Sequence, residues 1–159
     1  MGKTNVYKAA GFTLLNKLDE SGLLTKPVKS GNNIAKGDAL HNVAGYVSNA
    51  IVEFTDAFLG IAAHDADNSA GGDGTIDVKI IPPLEKYQFI VPVEDDALVT
   101  LADVGVICDL QSANTVDIND TTGATNAKGL LIDEIDVSAE AVAVNTRGYV
   151  IGHFVAHTT

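Results

Sequence analysis

The clearest strand signal in this chain is Ile76-Asp-Val-Lys-Ile80, in which apolar and polar side chains alternate strictly. A period of two is typical of a strand with one buried face and one solvated face. A turn-forming stretch, Asp67-Asn-Ser-Ala-Gly-Gly-Asp-Gly74, lies just before it, and a compact apolar run, Phe58–Ala63, precedes that stretch. This part of the chain therefore predicts two strands joined by a loop.

Short segments of the same kind recur along the rest of the chain. They are separated by turn-forming residues, and no long helical pattern interrupts them; only Ala97–Val104 favours a helical turn, after the acidic Asp95-Asp96 pair. We predict an all-β fold, a small β-barrel or β-sandwich of short, mostly antiparallel strands. The further predicted strands are Ala39–Val43, Gly45–Phe54, Tyr87–Val93, Val104–Leu110, Thr115–Ile118, Gly129–Val137, Val142–Val144 and Tyr149–Val155.

The N-terminal segment does not share this pattern. Its leucines at positions 14, 15 and 18 could lie along a short helix, yet Gly22 and Pro27 oppose a long one. The segment fits an extended arm equally well. We therefore predict an extended or partly helical arm at residues 1–27 and a β-barrel body at residues 28–159.

Charge is divided unevenly between these parts. The first 36 residues hold six lysines and two acids, which gives +4, whereas the other 123 residues hold four basic residues and 19 acids, which gives −15. The net charge of −11 opposes nonspecific binding to nucleic acid and to anionic membranes. A basic N-terminal segment attached to an acidic body predicts an arm that binds a protein partner.

The composition limits the other classes of protein that the chain could belong to. A hydrophobic content of 46% is enough for a core, and no stretch approaches the ~18 apolar residues of a membrane helix. Cys108 is the single cysteine, so no internal disulfide can form. It lies in an apolar run beside Asp103 and Asp109, a setting typical of a small buried hydrophobe and not of a nucleophile.

A metal site has little support. Asp65–Asp73 is rich in oxygen ligands but departs from the EF-hand pattern, because Ala70 and Ile76 stand where glycine and glutamate are needed. We predict a solvated hairpin loop there. His153 and His157 are four residues apart, and in a strand this places them ~13 Å apart, too far to chelate one ion together.

Catalysis and cofactor binding have little support as well. The nucleophile and phosphate-loop patterns are absent, and a chain with 21 acids cannot single out a catalytic carboxylate pair. We predict a protein that is not an enzyme and that needs no cofactor.

The order of segments over about residues 37–157 resembles a known family. The segments that carry the resemblance are Leu59-Gly-Ile-Ala-Ala63, the glycine- and aspartate-rich loop, Ile76-Asp-Val-Lys-Ile-Ile-Pro-Pro83, Tyr87–Val93, Asp103-Val-Gly-Val-Ile-Cys-Asp-Leu110 and Tyr149–Phe154. This order is similar to that of the small β-barrel proteins that decorate tailed-bacteriophage heads, called cement or head-stabilising proteins.

The resemblance implies a β-tulip or barrel body, assembly as homotrimers, attachment to the major capsid protein on the outer surface of the virion, and an N-terminal arm that pairs with capsid strands. Charge and position, and not a family motif, select the partner-binding residues: Lys3, Lys8, Lys17, Lys26 and Lys29. Three alternatives stay open. They are a tail-tube or fibre-base subunit, a carbohydrate-binding β-sandwich, which the lack of Trp disfavours, and a small barrel hydrolase or isomerase.

Overall fold

The computed structural model describes residues 11–94, 97–119 and 128–156, with only the backbone described at Lys128 and Ala156. These residues form thirteen short strands, one α-helix, α1 (Ala139–Val144), and two 3-10 turns, Glu20–Gly22 and Leu101–Asp103. The strands are β1 (Thr13–Leu14), β2 (Leu24–Pro27), β3 (Asn33–Ile34), β4 (Ala39–Val43), β5 (Tyr46–Ser48), β6 (Phe58–Ala62), β7 (Ala66–Asp67), β8 (Asp77–Ile81), β9 (Gln88–Pro92), β10 (Ile107–Ser112), β11 (Thr115–Asp117), β12 (Lys128–Asp136) and β13 (Tyr149–Ala156).

The strands form two larger sheets and one small pair. The six-stranded sheet has the order β1-β9-β13-β12-β10-β11, the five-stranded sheet has the order β2-β8-β6-β4-β5, and β3 pairs with β7. Neighbouring strands are antiparallel throughout. Two isolated parallel bridges, Val28–Val47 and Val93–Val116, add to the strand pairs, but no closed barrel forms among the described residues. The all-β prediction is confirmed, in an open form.

The main core lies between the two larger sheets. Phe58 and Ile61 of the five-stranded sheet meet Phe89 and Leu130 of the six-stranded sheet there. A second core covers the opposite face of the five-stranded sheet, so the neighbours Ile80 and Ile81 belong to different cores. This division follows from the alternation of strand side chains and confirms the strand that the Ile76–Ile80 pattern predicts, shifted by one residue.

The N-terminal segment belongs to this architecture. β1 pairs with β9 of one large sheet, and β2 pairs with β8 of the other. Phe12 lies in the main core, and its N–H donates to Gly37 O at 2.9 Å. Residues 11–27, on the arm side of the boundary predicted at residue 27, therefore supply strands and core contacts. Residues 1–10 lie outside the described part.

Gly11 allows the backbone to pass close to Gly37 just before β1. Its φ is +79°, and a Cβ atom there would lie 2.7 Å from Gly37 O. A side chain at this position would push β1 away from the turn that Phe12 binds. The helix and the extended arm considered for this segment are both replaced by short strands around one 3-10 turn.

One strand prediction is wrong. Val142–Val144, whose β-branched residues favour a strand, lies in α1 instead. Ser138 begins this helix, since its Oγ accepts a hydrogen bond from the Ala141 N–H at 3.3 Å. Ala141 then packs against Ile90, Tyr149 and Ile151 on the outer face of the six-stranded sheet.

A second strand is shorter than the sequence predicts. Of Gly45–Phe54, only β5 is a strand, and the chain then turns inward. The buried Asp109 carboxylate accepts hydrogen bonds from the Phe54 N–H at 2.6 Å and the Leu110 N–H at 2.8 Å, which holds Phe54 in the main core. The helical turn predicted within Ala97–Val104 is present as Leu101–Asp103.

Replacing Phe12 by alanine tests whether the N-terminal segment is structural. We expect Phe12→Ala to lower the free energy of unfolding by about 3–5 kcal/mol, because it leaves a cavity beside three other aromatic rings. Urea denaturation followed by circular dichroism measures the change. Val52→Ala, at a side chain that is 53% exposed, is the control and should change stability by less than ~0.5 kcal/mol. Equal losses in the two variants would contradict this role.

Candidate functional site

Three of the five lysines predicted to bind a partner lie in the described part. Lys17 follows β1, Lys26 lies in β2 and Lys29 follows β2. Lys17 and Lys26 are exposed, and Lys29 is half-buried. β1 and β2 are edge strands of two different sheets, so these three lysines are spread over the folded body and not gathered on a free arm. Lys3 and Lys8 lie outside the described residues.

These lysines have no carboxylate partner within the described ranges. Among those residues the one ion pair within 4.0 Å joins His153 to Asp133. Lys36, which is not among the five lysines predicted to bind a partner, is exposed and also lacks such a partner in the described ranges. In a chain with 21 acids, four ammonium groups without ion pairs can interact with an outside partner at no cost in internal contacts.

An apolar cleft lies beside this segment. It has a volume of about 470 Å³ and separates β1 from β6 and β8. Its walls are mostly apolar, and Lys36 and Asn16 add its polar groups. Sequence reasoning missed this cleft, because it forms between two sheets that approach each other only in the folded chain. The residues that line it are Phe12, Thr13, Leu14, Asn16, Leu18, Lys36, Ala62, Ala63 and Ile81. We refer to it as the β1 cleft.

The free edge of the six-stranded sheet runs along the β1 cleft. The Leu15 N–H donates to Gln88 O at 2.8 Å. Bonded and non-bonded pairs alternate along an antiparallel ladder, so Leu14, opposite Phe89, is in a non-bonded pair. The backbone N–H and C=O of Leu14 therefore face away from β9. β1 is the last strand of its sheet, and no described strand pairs with this outer side.

The Asp65–Asp73 loop uses its oxygen atoms for internal hydrogen bonds. Asp65 accepts from the Lys36 N–H at 2.7 Å, and Asp73 accepts from the Ser30 N–H at 2.8 Å. Asn68 is buried, and its Nδ2 donates to Val28 O and Gly72 O. The loop is thus tied to residues 28–36 and is not the simple solvated hairpin expected. The described residues contain no group of three His, Cys, Asp or Glu side chains that could hold a metal ion.

Two of the described histidines have fixed hydrogen-bonding roles. His64 Nδ1 lies 2.8 Å from Asp65 O, and its Nε2 accepts from the Lys79 N–H at 3.1 Å, which requires the neutral Nδ1–H tautomer. His153, in β13 as predicted, lies 2.8 Å from Asp133, which also accepts from Gln88 Nε2 at 3.3 Å. This contact joins three neighbouring strands on the outer face of the six-stranded sheet. His157 lies outside the described residues.

The single cysteine is a core residue, as the sequence predicts. Cys108 is fully buried in the main core. Burial, with a smaller contribution from the Asp109 carboxylate, raises the pKa of its thiol far above the ordinary value. A thiol held in the protonated form is a poor nucleophile, so Cys108 contributes packing and no covalent chemistry at neutral pH.

No protein-family model matches the chain, and no curated protein matches it in sequence. The described part of the chain contains no helix that is both long and apolar enough to span a bilayer. The features of the chain itself that bear on function are the lysines that form no ion pair within the described ranges, the β1 cleft with its free strand edge, and the exposed apolar side chains.

His41 is the histidine whose ionisation couples to folding. It is fully buried against Phe58, with ring centroids 5.2 Å apart, and neither ring nitrogen has a hydrogen-bond partner among the described residues. Burial lowers the pKa of His41 to about 4, outweighing the backbone of Glu53, which acts in the opposite direction. The unfolded chain therefore binds a proton near pH 6.5, where the folded protein does not.

We expect acid to destabilise the protein through His41. The stabilisation that comes from keeping His41 neutral in the folded state is complete above pH 6.5 and is lost as the pH falls toward 4. This loss lowers the free energy of unfolding by about 3 kcal/mol. His41→Leu removes the titrating ring, so the unfolding free energy of this variant should fall less than that of the wild type over this range. Urea denaturation of the two proteins at pH 7, 5.5 and 4 measures the difference. Parallel pH profiles would contradict the assignment.

Proposed function

We propose that the protein binds the outer surface of an assembled tailed-bacteriophage capsid and stabilises that shell. The observation that carries the proposal is the set of lysines at positions 17, 26, 29 and 36, which form no ion pair within the described residues of an acidic protein. The order of its β-segments, similar to that of head-decoration proteins, supports the same assignment. The major capsid protein is the proposed partner, and the virion surface is the proposed location.

Stabilisation would follow from mass action. A protein that binds the assembled shell and not its loosened form lowers the free energy of the assembled state by RT ln(1 + [L]/Kd) per site. Many copies on one shell would act together, since every junction must open for the shell to expand or break. This mechanism needs a rigid body and a binding surface, and it needs no reactive group.

The lysines supply orientation and association rate more than affinity. An exposed ion pair contributes ~0–1 kcal/mol, so several of them must act together, with apolar contacts, to hold the protein on a shell. The net charge of −11 would at the same time repel copies that are not aligned with their basic side toward the capsid. The uneven charge thus favours one orientation on an acidic surface.

Charge reversal tests the proposed surface. We expect Lys17→Glu/Lys29→Glu to weaken binding to empty shells of the major capsid protein encoded in the same genome, by roughly tenfold, since two attractive contacts become repulsive. Co-sedimentation at several salt concentrations measures the binding. Lys79→Glu/Lys86→Glu changes the net charge equally at lysines outside the N-terminal segment and is the matched control. Equal weakening by both pairs would contradict a specific basic surface.

Removing residues 1–10 tests the remaining arm. A deletion to residue 27 would also remove β1, β2 and Phe12, so its effect on binding could not be separated from misfolding. Deleting only residues 1–10 removes Lys3 and Lys8 and leaves Gly11 to begin the fold. We expect this shorter protein to melt within a few degrees of the full chain and to bind shells more weakly. Unchanged shell binding would restrict the binding role to residues 11–36.

Exposed apolar side chains support self-association. Leu98, Leu101, Val104 and Val137 are 40–81% exposed, with Leu101 the most exposed. The segments that carry them are neighbours, because Val99 and Val137 both lie about 3 Å from the position of a Cβ on Gly148. Neighbouring exposed apolar residues of this kind mark protein interfaces. We assign this apolar patch to contacts between copies of the chain, in a homotrimer.

Size-exclusion chromatography with light scattering tests the apolar patch. We expect Leu101→Lys to shift the protein toward the monomer, because a charge would be buried at the contact. Val52→Lys introduces the same charge at another exposed apolar residue and is the control. A wild-type protein that is monomeric at high concentration, or a Leu101→Lys variant with the wild-type mass, would contradict the assignment.

The shell assay also separates the alternatives. A tail-tube or fibre-base subunit would fail to sediment with shells and would instead assemble with tail components. A carbohydrate-binding module needs an exposed aromatic platform, but Tyr87 and Tyr149 are buried and Tyr46 is half-buried. No observation on the described residues favours that class or a small hydrolase.

A further inference from the structure

The β1 cleft combines two features that rarely occur together. One wall is the outer edge of a sheet, with the Leu14 N–H and C=O facing away from β9. The opposite wall consists of apolar side chains, among them Ala62, Ala63 and Ile81. An exposed strand edge is a template for another strand, and natural proteins usually cover or charge such an edge. Here it borders an apolar cleft of a size that holds side chains, about 470 Å³.

The charge at the cleft indicates what it would bind. Lys36 lines it, and Lys17 lies between Asn16 and Leu18, which both line it. Neither ammonium group has an ion-pair partner within the described ranges. An acidic residue on the occupant would therefore meet Lys36 beside an apolar surface, with Lys17 next to the lining residues along the chain.

Residues 1–10 of the same chain are a poor occupant of the β1 cleft, because of their charge. The first ten residues carry Lys3 and Lys8 and no acid, so they would add positive charge next to Lys17 and Lys36. A small amphiphile would use the apolar wall and the lysines but would leave the peptide groups of Leu14 without partners. An extended polypeptide from another protein satisfies all three features at once.

We infer that the β1 cleft accepts an extended segment of a partner protein as an additional strand on β1, with alternating apolar and acidic side chains. The partner's backbone bonds to Leu14, its apolar side chains enter the cleft against Ala62, Ala63 and Ile81, and an acidic side chain reaches Lys36. The inference deepens the proposed function, on which the identification of the partner as the major capsid protein rests.

A synthetic peptide tests the cleft without a capsid. The probe is an eight-residue capped peptide of alternating valine and glutamate, titrated into ¹⁵N-labelled protein and followed by amide chemical shifts. We expect the largest shifts at Leu14, Ala62, Ala63 and Lys36. The same peptide with lysine in place of glutamate, and an N-methylated version that lacks backbone donors, should bind on the order of tenfold more weakly or not at all.

Two variants with controls at the same positions examine the edge and the cleft separately. Leu14→Pro removes the outward N–H without breaking a bond to β9, and Leu14→Val keeps that N–H. Ala63→Phe fills the cleft, and Ala63→Ser leaves it open. We expect Leu14→Pro and Ala63→Phe to weaken peptide binding on the order of tenfold, while both controls bind like the wild type. Thermal melts show whether each variant is folded.

Shell co-sedimentation of the same variants separates the two proposals. Loss of peptide and shell binding in folded Leu14→Pro supports the inference. Peptide shifts that lie away from the β1 cleft, or full peptide and shell binding by Leu14→Pro and Ala63→Phe, would overturn it and leave capsid binding standing. Peptide binding at the cleft by a wild-type protein that fails to bind shells would overturn the proposed function and keep the strand-accepting edge.

Discussion

All five phenylalanines of the chain meet in one cluster, and the rest of the structure depends on it. Phe12, Phe54, Phe58, Phe89 and Phe154 come from five separate segments, and their contacting rings have centroids 4.8–6.4 Å apart. Because the chain lacks tryptophan, these rings supply most of the large aromatic surface that the core can bury. The cluster joins the two larger sheets and fixes the N-terminal segment between them.

That anchoring decides where the basic residues lie. Phe12 places β1 on the edge of the six-stranded sheet, and the chain then crosses to β2 on the other sheet, carrying Lys17 and Lys26 along the surface. Lys17, Lys26, Lys29 and Lys36 are thus held on a folded surface at residues 11–36. A fixed surface loses less conformational entropy on binding than a flexible segment does, which suits the proposed binding to a repeating lattice.

The polar groups that first suggest chemistry mostly serve the fold. Asp109 holds Phe54 in the core, Asn68 and Asp73 tie the glycine-rich loop to the N-terminal segment, and His64 joins the end of β6 to β8. Each of these side chains forms hydrogen bonds with backbone groups of another segment. The features left over for a partner are backbone edges, lysines and apolar side chains, which are the elements of a binding surface.

The sequence by itself determined the fold class and most strands, because the alternation in a segment such as Ile76–Ile80 reports burial of one face directly. It also marked Cys108 as a core residue and the first 36 residues as basic. It could not place Val142–Val144, where the Ser138 cap and packing of Ala141 outweigh β-propensity. Nor could it detect the β1 cleft or the burial of Phe12. Both depend on two sheets approaching across long sequence separations, and only the tertiary structure brings those surfaces together.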